Sequence, residues 1–151
     1  MLNIIAVGLG GFVGAVCRYL IGLIPINEVT VFPMKTFIIN IVGCIVIGMI
    51  TIVATRNNNL NPQMLLFLKV GVCGGFTTFS TFALETAELI KNGNTLVALA
   101  YMLGSVLVGV GVIFAIEYFV AKWMGICTIW RESPGWWRRP RRRRISLPSS
   151  C

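Results

Sequence analysis

Four long apolar stretches, separated by short polar connections, make up most of the chain. They run from about Ile4 to Ile24, Thr36 to Thr55, Met64 to Ile90 and Thr95 to Ala121. Each reaches the roughly 20 residues that a helix needs to cross a hydrocarbon core. The connections carry turn signals: Pro25-Ile26-Asn27-Glu28, then Arg56-Asn57-Asn58-Asn59-Leu60-Asn61-Pro62, then Lys91-Asn92-Gly93-Asn94. Connections this short make successive helices antiparallel. The pattern predicts an all-α membrane protein with four transmembrane helices and both termini on one side. A secretory leader at the start is disfavoured, because the first stretch lacks a basic start and a small-residue cleavage site and contains Arg18.

Within the stretches, small residues recur at four-residue spacing: Gly10 with Gly14, Gly11 with Ala15, and Gly71 with Gly75. In lipid such pairs let helix backbones approach closely, so bundle packing is their expected role. Gly8, Gly10 and Gly14 do not make a dinucleotide loop. Val13 stands where the third glycine belongs, and no strand precedes it.

Composition supports the membrane reading and narrows the chemistry. Only 12% of residues are charged, half the share usual in a soluble domain, and the mean hydropathy is +0.84. The net charge of +8 is mostly terminal. Residues 1–124 hold six Lys/Arg against four Glu, whereas 125–151 hold seven Arg against one Glu. The chain therefore divides into a four-helix membrane domain, 1–124, and a basic tail, 125–151, expected to be disordered. There is no His and no Asp, which removes the commonest general acid/base and metal ligands. No enzyme is expected. The five cysteines have no metal-ligand spacing, and Cys17, Cys44 and Cys73 fall in apolar runs, where a thiol acts as a small hydrophobe.

The tail has three readings. It is a cloning scar or altered reading frame following a complete membrane domain, or a basic segment lying on anionic lipid with Trp at the headgroups, or, last, a nucleic-acid binder. No nucleic-acid partner is expected. Without the tail, Arg56, Lys69 and Lys122 on one side balance Arg18, Lys35 and Lys91 on the other. A balanced count sets almost no preferred orientation, whereas the tail favours a cytoplasmic C-terminus.

The third stretch holds the most informative segment, Gly71-Val72-Cys73-Gly74-Gly75-Phe76-Thr77-Thr78-Phe79-Ser80-Thr81-Phe82. Two adjacent glycines and four hydroxyls in mid-span permit a broken helix, whose freed carbonyls suit a small hard cation such as Na⁺. They equally permit an unbroken helix with its hydroxyls bonded back to the preceding turn. Phe79 and Phe82, three apart, share a face, and ring edges are weakly positive. Asn40 places an amide inside the second span, where polar groups face the bundle interior. Tyr101 and Ser105 share a face of the fourth helix, with Gly109 continuing the line. These residues would form a lane of amide, hydroxyl and ring-edge donors free of Lys, Arg and His. Arg18 and Glu85 are the ionisable groups expected within the spans: Arg18, near a helix end, either snorkels to the interface or pairs with a carboxylate, and Glu85, one turn beyond Phe82, either makes a structural ion pair or takes part in conduction.

Three motifs together resemble the Fluc (CrcB) family of fluoride channels: Gly10-Gly11-x-x-Gly14-Ala15-x-x-Arg18-Tyr19, Asn40 with Gly43, and Gly74-Gly75-Phe76-Thr77-Thr78-Phe79-Ser80-Thr81-Phe82 followed by Glu85. The resemblance covers residues 4–121 and favours the broken third helix. It implies an antiparallel dual-topology homodimer with two pores and a central structural Na⁺ at the dimer interface. That ion would be held by the backbone carbonyls of Gly74 and Thr77. It further implies a fluoride pore along Asn40, Phe79, Phe82, Ser80, Thr81, Tyr101, Ser105 and Glu85, with Gly10, Gly14, Arg18, Gly43 and Gly75 structural. Gly109 sits where some relatives carry Ser. The implied function is passive export of cytoplasmic fluoride by a multi-pass protein of the cell membrane (the inner membrane in a Gram-negative cell). Two rivals compete. A small dual-topology multidrug exporter needs a Glu in its first helix, and no acid lies between Met1 and Ile24. A non-transporting protein with a lipid-binding tail would depend on residues 125–151.

Overall fold

The computed structural model describes residues 1–25, 31–56 and 60–123; the basic tail lies outside them. The described residues are helical, with α1 (Leu2–Gly22), α2 (Met34–Arg56), α3 (Pro62–Leu65), a π-helical stretch (Leu66–Cys73), α4 (Gly74–Phe76), α5 (Phe79–Lys91) and α6 (Thr95–Trp123). The third span is thus two arms: residues 62–76, and α5. Four helical segments are long and apolar enough to cross a membrane: Leu2–Gly22, Met34–Arg56, Pro62–Lys91 and Thr95–Val120. Each overlaps a stretch expected from the hydrophobic pattern.

Local chemistry sets the boundaries. Asn61 caps the first arm, its side chain accepting from the Gln63 N–H at 2.9 Å, with Pro62 in the first turn where a missing N–H costs nothing. Gly93, at φ 79°, closes α5. The Asn94 N–H reaches back to the Leu89 carbonyl, the glycine-dependent stop that satisfies the last carbonyls of a helix. The Lys35 ammonium donates to the Gly22 carbonyl at 3.3 Å, placing a cation at the C-terminal end of α1.

The small-residue pairs meet one another. α1 packs against the first arm with almost no side chain between the two backbones. A Cβ on Gly10 would collide with the Phe67 carbonyl oxygen, and one on Gly14 with that of Val72. Gly71 faces Gly10, and Gly75 faces Gly11. On the other side α2 and α5 pack on α6, where Leu89, Ala98 and Tyr101 form a buried cluster joined by Phe32, Phe37, Phe82 and Val97. The outer surface carries exposed Leu, Ile, Val and Phe from every span, as a lipid-facing surface requires.

Candidate functional site

The glycine pair does not break the third span. Gly74 keeps helical geometry (φ −66°, ψ −36°), and the helix continues through Phe76. The chain turns extended only at Thr77 (φ −76°, ψ 156°) and Thr78 (φ −146°, ψ 113°). Gly75 instead serves close packing, since a Cβ there would lie 2.5 Å from the Gly11 carbonyl oxygen.

Two side chains hold the break open. Asn40 reaches across from α2. Its Oδ1 accepts from the Thr78 N–H at 2.9 Å, and its Nδ2 donates to the Thr78 carbonyl at 3.3 Å. In an unbroken helix that N–H would serve the Gly74 carbonyl. Thr78 then caps α5: its Oγ1 accepts from the Thr81 N–H at 3.2 Å, a donor that an unbroken helix would give to Thr77. The carbonyls of Gly74 and Thr77 are therefore the two whose helical donors are taken by side chains. A Cβ added to Gly74 would meet nothing within 4 Å, so open space adjoins it. Carbonyl oxygens released from a helix are hard ligands, and these fit a small hard cation. Among the described residues no group of three or more His, Cys, Asp or Glu could hold a metal ion. Gly43 makes room for the crossing: a Cβ there would collide with Cγ2 of Thr77. The Thr77 hydroxyl bonds back to the Cys73 carbonyl at 2.9 Å.

Glu85, one turn beyond Phe82, has both carboxyl oxygens satisfied. Thr36 Oγ1 donates to Oε1 at 2.7 Å, and the Tyr101 hydroxyl donates to Oε2 at 2.8 Å. Arg18 lies half-buried in the last turns of α1. Tyr101 is fully buried, with Phe82 against it at 4.9 Å between ring centroids, and Phe79 follows Phe82 at 5.8 Å.

The lane splits into a covered and an uncovered part. Asn40, Thr81, Phe82, Glu85 and Ser105 are partly buried. Phe79 is 79% exposed, and Ser80 and Gly74 are also exposed. The Ser105 hydroxyl is buried with no hydrogen-bond partner among the described residues. Gly109, proposed to continue the lane, is buried against α2, where a Cβ would lie 3.3 Å from Cys44 Sγ.

Sequence reasoning missed Thr36 and Thr78 as site residues. Both left a signal. Thr36, Asn40 and Gly43 follow helical spacing on one face of α2. Thr78 stands three before Thr81, at the cap position of the helix that resumes.

The profile of a family described as "CrcB-like protein, Camphor Resistance (CrcB)" matches residues 5–116. The match stops short of the basic tail. Among similar proteins, the "Fluoride-specific ion channel FluC" of Chlorobaculum tepidum is 41% identical over 123 residues, covering 82% of this chain and 98% of the relative. The protein of the same name from Chloroflexus aurantiacus is 42% identical over 127 residues, covering 83% and 99%. That of Chlorobium phaeobacteroides is 40% identical over 117 residues, covering 78% and 91%.

Proposed function

The chain belongs to the CrcB family, and from that premise we propose that it is a fluoride-specific channel that passively exports fluoride from the cytoplasm. The observation that carries this reading in the molecule itself is the interruption of the third span at Thr77-Thr78, braced by Asn40 and lined by hydroxyls.

Fluoride is small and strongly hydrated, so a path through hydrocarbon must offer several donors at once. It must also let the ion leave, which a fixed basic group would prevent. The lane meets both conditions. Ser80, Thr81 and Ser105 supply hydroxyl donors, Tyr101 stands beside them with its proton given to Glu85, and Asn40 has a second amide hydrogen beyond the one given to Thr78. Phe79 and Phe82 supply ring edges. The Ser105 hydroxyl, buried without a partner among the described residues, supports this, since a passing anion would accept the hydrogen bond that it otherwise lacks. Thr36 and Tyr101 hold Glu85 by its two oxygens, so the carboxylate does not project freely into the anion's way.

Conduction through such a lane is downhill and needs no proton gradient. In acidic surroundings fluoride enters as HF and ionises in the cytoplasm, and a negative interior drives the anion out.

The functional unit is an antiparallel dual-topology homodimer. Phe79, Ser80 and Gly74 are exposed in mid-span on one chain, and a hydroxyl facing hydrocarbon at that depth is costly. A second copy covers them. The near-balance of basic residues at the two ends of residues 1–124 supports insertion in both orientations. Across the two-fold axis the Gly74 and Thr77 carbonyls of both copies would hold one Na⁺. When bound, that ion supplies positive charge that ties the two breaks together. The tail, residues 125–151, has no part in the pore.

The test is fluoride efflux from liposomes, compared with chloride and repeated with Phe79→Ile and Phe82→Ile. Rapid fluoride loss, little chloride loss and severe impairment in both variants are expected. Efflux that requires a proton gradient would turn the reading into an exchanger.

A further inference from the structure

One aromatic ring belongs to none of these roles. Phe32 lies in the α1–α2 connection, two residues before α2 begins. Its ring meets that of Phe37 edge to face, at 5.6 Å and 74°. Phe37 is the fourth residue of α2, so this contact is the apolar clasp that commonly fixes a chain's entry into a helix. The ring has a second partner. It meets Tyr101 edge to face, at 5.3 Å and 80°. Tyr101 therefore touches Phe82 of α5 and Phe32 of the connection. Phe79, Phe82, Tyr101, Phe32 and Phe37 form one unbroken run of ring contacts, from the break in the third span to the start of α2.

We propose that Phe32 is a positioning residue for fluoride passage: borne on the connection between the first two spans, it fixes the Tyr101 ring so that the phenol stays on Glu85. The inference rests on the channel reading above. The tyrosine oxygen is the atom farthest from its backbone, so a rotamer change moves it most and would carry it off Oε2. Phe82 shares the lane with Tyr101 and is itself a pore ring. Phe32 lies outside the lane, which leaves it able to restrain Tyr101 without contacting the ion. Its edge-to-face geometry is the arrangement two aromatic rings prefer, and a non-aromatic side chain of similar bulk cannot reproduce it. A plain clasp on Phe37 makes the opposite demand, since any apolar side chain serves it.

Single-channel fluoride currents in planar bilayers separate the two roles, because unit current does not depend on how much protein has assembled. Phe32→Leu keeps the clasp and loses the ring, and its unit fluoride current is expected to fall by about two- to tenfold, the scale of one lost aromatic contact. Phe32→Tyr keeps the ring and is expected to restore the wild-type current. Phe32→Met, measured in parallel, removes the ring by a different route and gives the same readout where the Leu variant does not assemble. Wild-type unit current in Phe32→Leu or Phe32→Met, with only the number of active channels reduced, would reduce Phe32 to a clasp and overturn the proposal. Wild-type protein without fluoride current would overturn the channel reading itself, and this role with it.

Discussion

Replacing Asn40 by Ala removes both hydrogen bonds that hold the Thr78 peptide away from the helix. The Thr78 N–H and carbonyl then sit in a low-dielectric interior without the partners now at 2.9 and 3.3 Å. Polar contacts between membrane helices are worth about 0.6–2 kcal/mol each. The pair therefore favours the broken conformation by about 1–4 kcal/mol, roughly a 7- to 700-fold change in its population. A competing state is available, because the Thr78 N–H can return to the Gly74 carbonyl and extend the first arm. Healing the span would return the Gly74 carbonyl to a helical hydrogen bond and remove the cap that Thr78 gives α5. The assay is fluoride efflux from liposomes at a protein density of about one channel per vesicle or fewer, so that slow channels are not masked by number. Asn40→Ala is expected to lower the efflux rate within that range while the protein keeps the wild-type oligomeric state in detergent. Asn40→Asp keeps an acceptor for the Thr78 N–H but sets an oxygen against the Thr78 carbonyl, and is expected to be at least as slow. Wild-type efflux from Asn40→Ala would refute the bracing role outright.

Three further expectations concern the surroundings of the lane. Gly10→Ala and Gly14→Ala drive a methyl into backbone that cannot rotate away, at an expected cost of about 1–3 kcal/mol. Gly8→Ala, where a Cβ meets nothing within 4 Å, is the matched control in a thermal-stability assay of the detergent-solubilised protein. Thr36→Val and Tyr101→Phe each strip one donor from Glu85, at about 0.6–2 kcal/mol apiece. Because both act on one carboxyl group, a double-mutant cycle on efflux rate is expected to show coupling rather than additivity. Deleting residues 125–151 is expected to leave fluoride efflux intact, whereas loss of activity on deletion would assign the tail a working part.

The spans were legible in the hydrophobic pattern because a bilayer imposes length and apolarity together. Helix ends moved by only a residue or two. The residues alone leave a broken and an unbroken third span equally open, and the family resemblance favours a break near its middle, where Thr77-Thr78 lies. The adjacent glycines Gly74 and Gly75 both remain helical; Gly75 is used against α1, whereas a Cβ on Gly74 would meet nothing within 4 Å. The actual break lies at Thr77-Thr78, and its cause lies 38 residues away on α2. Local sequence carries no sign of a partner at that distance. Thr36 shares a face of α2 with Asn40 and Gly43, but its role depends on Glu85, 49 residues away. Gly109 continued the lane by spacing alone, and the packing of α6 on α2 turns it toward Cys44 instead.

The seam between α1 and the first arm has a consequence for how the protein is made. Its two halves are separated by about sixty residues of sequence, so α1 enters the membrane on the order of seconds before the segment that covers its glycines has been synthesised. During that interval Gly10 and Gly14 present bare backbone to lipid. The third span in turn cannot settle until Asn40 is already in place to receive it. Biogenesis thus has an imposed order, with the first two helices waiting as a half-built socket. A change that delays either of them would be felt as misassembly at the third.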